Sequence, residues 1–148
     1  MIKKNITVEK KQPTVKNNLI TTLQGEVIYL SPTYAGSVHD KKICDEEKFR
    51  LNGHCDLYVD LGYIGLTSDV AQIFIPHKRK KKQELNEEEK AYNKLVSKIR
   101  VKVEHVIASI KIFRKVKEKF RGRLFAREDN VMLVACALQN LKLKNKKK

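Results

Sequence analysis

Apolar residues in the second half of the chain recur at steps of 4, 4, 3, 4 and 3, through Leu95, Ile99, Val103, Val106, Ile110 and Phe113. That rhythm is one face of an α-helix. Asn86, with Glu89 three residues on, fits a helix start of the capping-box kind. "EDNVMLVACALQNL" is apolar almost all round between residues 131 and 138, which predicts a buried helix. The first half has a different rhythm. Residues 14–23 and 26–30 are β-rich runs around Gln24 and Gly25, and Ser31, Pro32 and Gly36 break the pattern after them. "GSVHDKKICDEEKF" predicts a short helix entering at Ser37 or Asp40. "CDLYVDLGYIG" predicts a strand over residues 56–60 that ends in a glycine-punctuated turn, and "AQIFIP" another, stopped by Pro76. Ile6 and Val8 allow a short strand or a frayed start. Strands first, helices mixed in and long helices last describe an α/β or α+β domain.

Composition narrows the partners. The chain has 148 residues, enough for one domain with a core, and carries 32 Lys plus Arg against 17 Asp plus Glu, a net charge of +15. Such an excess favours a polyanion, most simply DNA or RNA. Aromatic residues make up 7% and Trp is absent, so stacking of bases on aromatic platforms is a weak expectation. Cys44, Cys55 and Cys136 form no CxxC pair and are odd in number, which suits free thiols in a reducing, cytoplasmic, DNA-associated setting. The first residues have no apolar signal core, and no segment approaches a membrane span. A zinc site from His39, Cys44, His54 and Cys55 has the spacing H-x4-C-x9-H-C, which matches no familiar tetrahedral pattern. His77 and His105 read as surface histidines.

The helix over "KIRVKVEHVIASIK" carries chemistry beside its apolar stripe. At about 100° per residue from Leu95, the stripe centres near about 35°, while Arg100, Lys111 and Glu104 fall at about 140°, 160° and 180°. One acid thus sits between two bases on a strip clear of the centre of the core. An exposed Arg100–Glu104 pair of the i,i+4 kind is the simplest account. Asp60 adds a second acid, at a strand end where α/β proteins often place their sites. An Asp on a strand end and a Glu on a facing helix are a familiar way to hold Mg²⁺. Two such ions serve phosphodiester chemistry, with Arg and Lys on the DNA phosphates.

The order "GEVIYLSPTYAGSVHDKKI", "DLYVDLGYIG" and then R-x3-E-x6-K resembles the C-terminal half of a DDE transposase, of the DDE superfamily endonuclease group found in bacterial insertion sequences and Harbinger-like elements. "KKQPTVKNNLITT" resembles the strand before these blocks, with Pro13 where the family usually has His. The family's Tyr-x2-Arg-x3-Glu-x6-Lys signature matches Arg100, Glu104 and Lys111, with Ser97 in the Tyr place. The likeness runs over residues 10–141, with residues 142–148 left as a basic, disordered tail.

The resemblance implies an RNase H-like mixed sheet with flanking helices, and a Mg²⁺ or Mn²⁺ site of three acids that acts on the DNA of transposon ends. Asp60 matches the second acid and Glu104 the third. Arg100 and Lys111 match the basic members of the signature, and the run containing Lys78, Arg79 and Lys80 adds DNA-binding charge. His39 and Asp40 match the family's "HD" block, a structural motif in which Asp40 reads as a helix cap. The first acid belongs on the first strand, and Glu9 is the sole acid in the corresponding region. The expectation is therefore a catalytic domain that lacks its central strand, from a truncated or frameshifted gene. That leaves two unpaired sheet edges, with residues 2–8 as a partial substitute, and an inactive enzyme. The alternative is a non-catalytic DNA-binding remnant that pairs with intact transposase or with itself.

Overall fold

The computed structural model describes residues 2–7, 14–47, 51, 54–79, 84–117 and 125–146. Strands β2 (Val15–Thr21) and β3 (Val27–Leu30) form the hairpin read from the sequence, with Leu19 opposite Leu30 and Ile20 opposite Tyr29. Gly25 turns it at φ +89°, a conformation that favours glycine. A Cβ at Gly25 would also lie 3.1 Å from Val106 Cγ2. β4 (Tyr34–Ala35) returns along the start of β2.

β1 (Ile2–Thr7) pairs antiparallel with β2 from Ile2↔Thr21 to Thr7↔Lys16. On its other side it meets β5 (Asp56–Tyr58) in parallel at Ile2↔Tyr58. β5 pairs in parallel with β6 (Gln72–Phe74). The strand order is β3-β2-β1-β5-β6, with β4 on β2. The mixed sheet is as expected, but its centre is filled. The strand predicted to be missing has its place taken by Ile2–Thr7. β2 and β5 would otherwise face each other with unpaired N–H and C=O groups, and a six-residue run containing Ile2, Ile6 and Thr7 meets that demand.

Side chains alternate across a strand, so neighbours on β2 serve different cores. Leu19 joins Val103, Val106, Ile107, Ile110, Met132 and Ala135 from helices α2 (Glu87–Ile110) and α4 (Phe125–Lys146). Ile20 joins Cys44, Leu57, Val59, Tyr63 and Leu66 on the opposite face, beneath α1 (Asp40–Glu47). A short α3 (Arg114–Lys117) lies between α2 and α4 in sequence. Asn140 of α4 closes the free edge of β3: its Oδ1 accepts from Val27 N–H and its Nδ2 donates to Val27 C=O, both at 2.8 Å. Both Tyr29 and Tyr34 donate to Glu47, which ties β3 and β4 to α1. That hydrogen bond pushes the Tyr34 phenol up to about 12, with burial adding to it.

α2 starts as predicted, with a complete capping box between Asn86 and Glu89. Its buried stripe is rotated from the expected one. Val96, Val103, Val106, Ile107 and Ile110 are buried, whereas Leu95 is 61% and Phe113 40% exposed. At about 100° per residue the real stripe centres near about 75°, some 40° closer to Arg100 than the spacing suggested. α4 is not buried all round: Met132, Ala135, Cys136 and Gln139 face inward, while Leu133, Val134, Leu138 and Leu141 are exposed. The basic end read as a disordered tail is helical as far as Lys146.

Two outcomes test this packing. Ile110→Ala should lower the unfolding free energy by about 2–5 kcal/mol, and Leu95→Ala by less than about 0.5 kcal/mol, as measured by urea titration. The Tyr34 phenol titrates at 10.0 when unfolded and about 12 when folded. The unfolded chain therefore loses this proton first, and stability falls as pH rises from 10 toward 12. That fall should be smaller in Tyr34→Phe when the two proteins are compared by urea unfolding over this range.

Candidate active site

β5 ends at Tyr58, and two residues on the chain enters a single 3-10 turn, Leu61–Tyr63. Asp60 caps that turn from an extended conformation, its Oδ1 accepting from Leu61 N–H at 2.6 Å. Its other oxygen, Oδ2, accepts from Arg100 Nη2 at 2.8 Å. The rotated stripe of α2 explains the contact. It draws Arg100 to the border of the core, where its side chain is only 17% exposed. Arg100 Nε is buried without a hydrogen-bond partner among the described residues. Glu104, one turn further on, is exposed, and Lys111 is half-buried at the C-terminal cap of α2.

A buried polar chain holds the Asp60 turn from beneath. The Tyr63 hydroxyl donates to Asn18 Oδ1 at 3.0 Å, and both residues are almost fully buried. Asn18 Nδ2 donates to Cys44 Sγ at 3.2 Å and to the Asp40 carbonyl at 3.4 Å. Burial raises the Tyr63 phenol well above its ordinary range, with the Cys44, Asp40 and Asp60 charges adding to the effect, so the hydroxyl stays a donor.

Asp40 is the first residue of α1 and not the residue before it. Its Oδ1 receives Lys16 Nζ at 2.9 Å, and the same ammonium donates to the Val38 carbonyl at 2.7 Å. Gly62 lies against this carboxylate, since a Cβ there would come within 2.7 Å of Asp40 Oδ2. The helix-cap place falls to His39, whose C=O accepts from Ile43 N–H and whose exposed ring accepts from Lys41 N–H at 3.4 Å.

The structure thus joins Asp60 to Arg100 and packs Asp40 against the same turn. Lys78 and Arg79 are exposed in the loop before α2, Arg79 facing Glu84 at 3.6 Å. Lys80 and Glu9 lie outside the described residues. The sequence reading missed Lys16, Asn18 and Tyr63, whose roles depend on partners 22 to 45 positions away. The nearest signal was the Tyr of "DLGY".

A three-acid metal centre does not fit the described residues. No three of His, Cys, Asp and Glu come together there in a group suited to a metal ion, and both Asp60 oxygens are already engaged. Cys44, buried on Asn18, is likewise no part of a zinc group. Among the described residues no helix is long and apolar enough to cross a membrane.

Comparison with known proteins adds to this geometry. A sequence model of the DDE superfamily endonucleases matches residues 7–140. A probable transposase for insertion sequence element IS702 from Microchaete diplosiphon is 26% identical over 121 residues, 82% of this chain and 44% of that protein. The chain therefore spans less than half the length of that relative. No solved structure matches.

The buried chain yields a direct test. Tyr63→Phe keeps the ring but leaves Asn18 Oδ1 without its donor. It should cost about 1–3 kcal/mol of stability, with an unchanged urea m-value. A variant as stable as the wild type would show that the hydrogen bond does not hold the turn.

Proposed function

The chain belongs to the DDE superfamily endonucleases, and from that premise we propose that it is a transposase-type domain, inactive when alone, that binds transposon-end DNA and contributes Asp60 and Glu104 to phosphodiester chemistry. The observation that carries this reading is the 2.8 Å ion pair between Asp60 and Arg100. It links the two stretches of sequence that resemble the catalytic blocks of the family. The strand order β3-β2-β1-β5-β6, with its antiparallel and parallel pairs, supports an RNase H-like arrangement. Arg100, Lys111, Lys78 and Arg79 supply charge for DNA phosphates.

Divalent-metal dependence is general in the family, with Mg²⁺ or Mn²⁺ as the proposed ion. Asp60 and Glu104 are the two carboxylates this chain brings to it. The strand in the first-strand place reads IKKNIT and contains no acid. Two carboxylates hold such an ion weakly, and in-line attack asks for a fuller set. That observation favours a second reading, a non-catalytic DNA-binding partner of intact transposase or of itself.

A nicking assay separates the readings, because only the first expects activity to appear once a segment carrying the missing Asp is added. The chain alone should bind transposon-end DNA in a gel shift, yet nick it with Mg²⁺ or Mn²⁺ no faster than Asp60→Asn does. Cleavage that Glu104→Gln abolishes would instead show that another acid, Glu9 or Asp40 among the candidates, completes the set.

A further inference from the structure

On the opposite flank of α2 from Arg100, Glu104 and Lys111 lies a cavity of about 320 Å³ between α2, α4 and the β2–β3 turn. Lys102, His105, Lys142 and Lys146 line it, together with Ser109 and Gln139. No acid is among its lining residues. Lys102, Lys142 and Lys146 make no salt bridge among the described residues. Ser109 is fixed in the wall: its Oγ donates to Gln139 Oε1 at 2.7 Å and accepts from Lys142 Nζ at 3.4 Å.

Lysines at the end of α4 are partly accounted for by the helix dipole. Lys102 and His105 are not, because they sit in the middle of α2, turned toward the α4 lysines across a concave surface. Like charges that converge without a counter-charge destabilise the empty form and favour an oxyanion. Several N–H donors around one cleft suit a phosphate, which accepts from many directions.

We propose that this cleft is a phosphate site that takes the sugar-phosphate backbone of DNA, separate from the face carrying Asp60, Arg100 and Glu104. The inference rests on the DNA-binding part of the reading above, and it gives the domain a second contact with DNA on the far flank of α2. A free inorganic phosphate shares the same chemistry, and the test separates the two sources.

The full chain is titrated with a short duplex over a range of salt, followed by fluorescence anisotropy and by the NMR signals of the His105 ring. The duplex should move the His105 signals and displace inorganic phosphate from the cleft. Lys102→Glu/Lys142→Glu, both at exposed positions, should weaken duplex binding about tenfold or more and make the slope of log K against log salt shallower by about two. Circular dichroism of the double variant should match the wild type, which excludes misfolding as the cause. Wild-type affinity and slope in the double variant would overturn the site while DNA binding itself stands. Phosphate held in the cleft undisturbed by saturating duplex would overturn the DNA assignment. A wild-type chain that binds no duplex at any salt would remove the DNA-binding reading along with it.

Discussion

The hydrogen bond from Tyr63 to Asn18 is the constraint on which the proposed site depends. A single 3-10 turn has too little internal bonding to hold a fixed direction, and Leu61–Tyr63 is only that long. What fixes it is burial. Asn18 is 1% and Tyr63 0% exposed, so a hydroxyl and an amide are both removed from water. Left unpaired, each would cost about 1–3 kcal/mol. The two groups satisfy each other, and Asn18 spends its remaining donors on the Cys44 thiol and the Asp40 carbonyl. One asparagine on β2 thereby clamps α1 and the Asp60 turn to the sheet. Asp60 thus lies beside a turn whose anchor is a buried residue on a different strand.

The two carboxylates around this turn are held in different ways. Asp40 is bound by Lys16, itself buried and anchored by the Val38 carbonyl, and a Cβ at position 62 would have to displace this carboxylate. That is the arrangement of a structural strut, and it gives a reason for a glycine two residues after Asp60. The Asp60–Arg100 pair lies nearer the surface, where an ion pair contributes little net stability. Its effect is geometric. It fixes the helix that carries Glu104 against the end of β5, and a guanidinium already supplies the positive charge that Asp60 faces.

Much of the fold was legible because it follows from local rhythm. The β2–β3 hairpin, β5, β6, and the cap of α2 each follow from a few adjacent residues, and the structure moves their bounds by only a few positions. The misreadings share a cause, which is that the answer lay with distant partners. Leu95 belongs to the periodic stripe of α2 but stays 61% exposed, whereas Ile107 is off that stripe and is covered. IKKNIT has no strong pattern of its own, and it becomes a strand because β2 and β5 offer two open edges. Asp40 has the composition of a cap, yet Lys16 on β2 claims its carboxylate. Lys142 and its neighbours read as a tail because their charge is visible and the helix that carries them forward from Asn140 is not.

α2 explains how one basic domain can carry the two proposed sites. Its buried stripe leaves two polar flanks, one on each side. On one flank Arg100, Glu104 and Lys111 alternate in sign, so an acid separates the two bases and charge can be ordered by pairing, as Arg100 is by Asp60. On the other, Lys102 and His105 face the lysines of α4 with no acid between them. Burial of the stripe stabilises both flanks equally, so the helix can keep the second flank unbalanced only because the core pays no attention to its charge and the hairpin at Gly25 packs on Val106 from the same side. Three of the chain's lysines and a histidine line the place where two helices and a turn converge, and an anion bound there would relieve the repulsion between them.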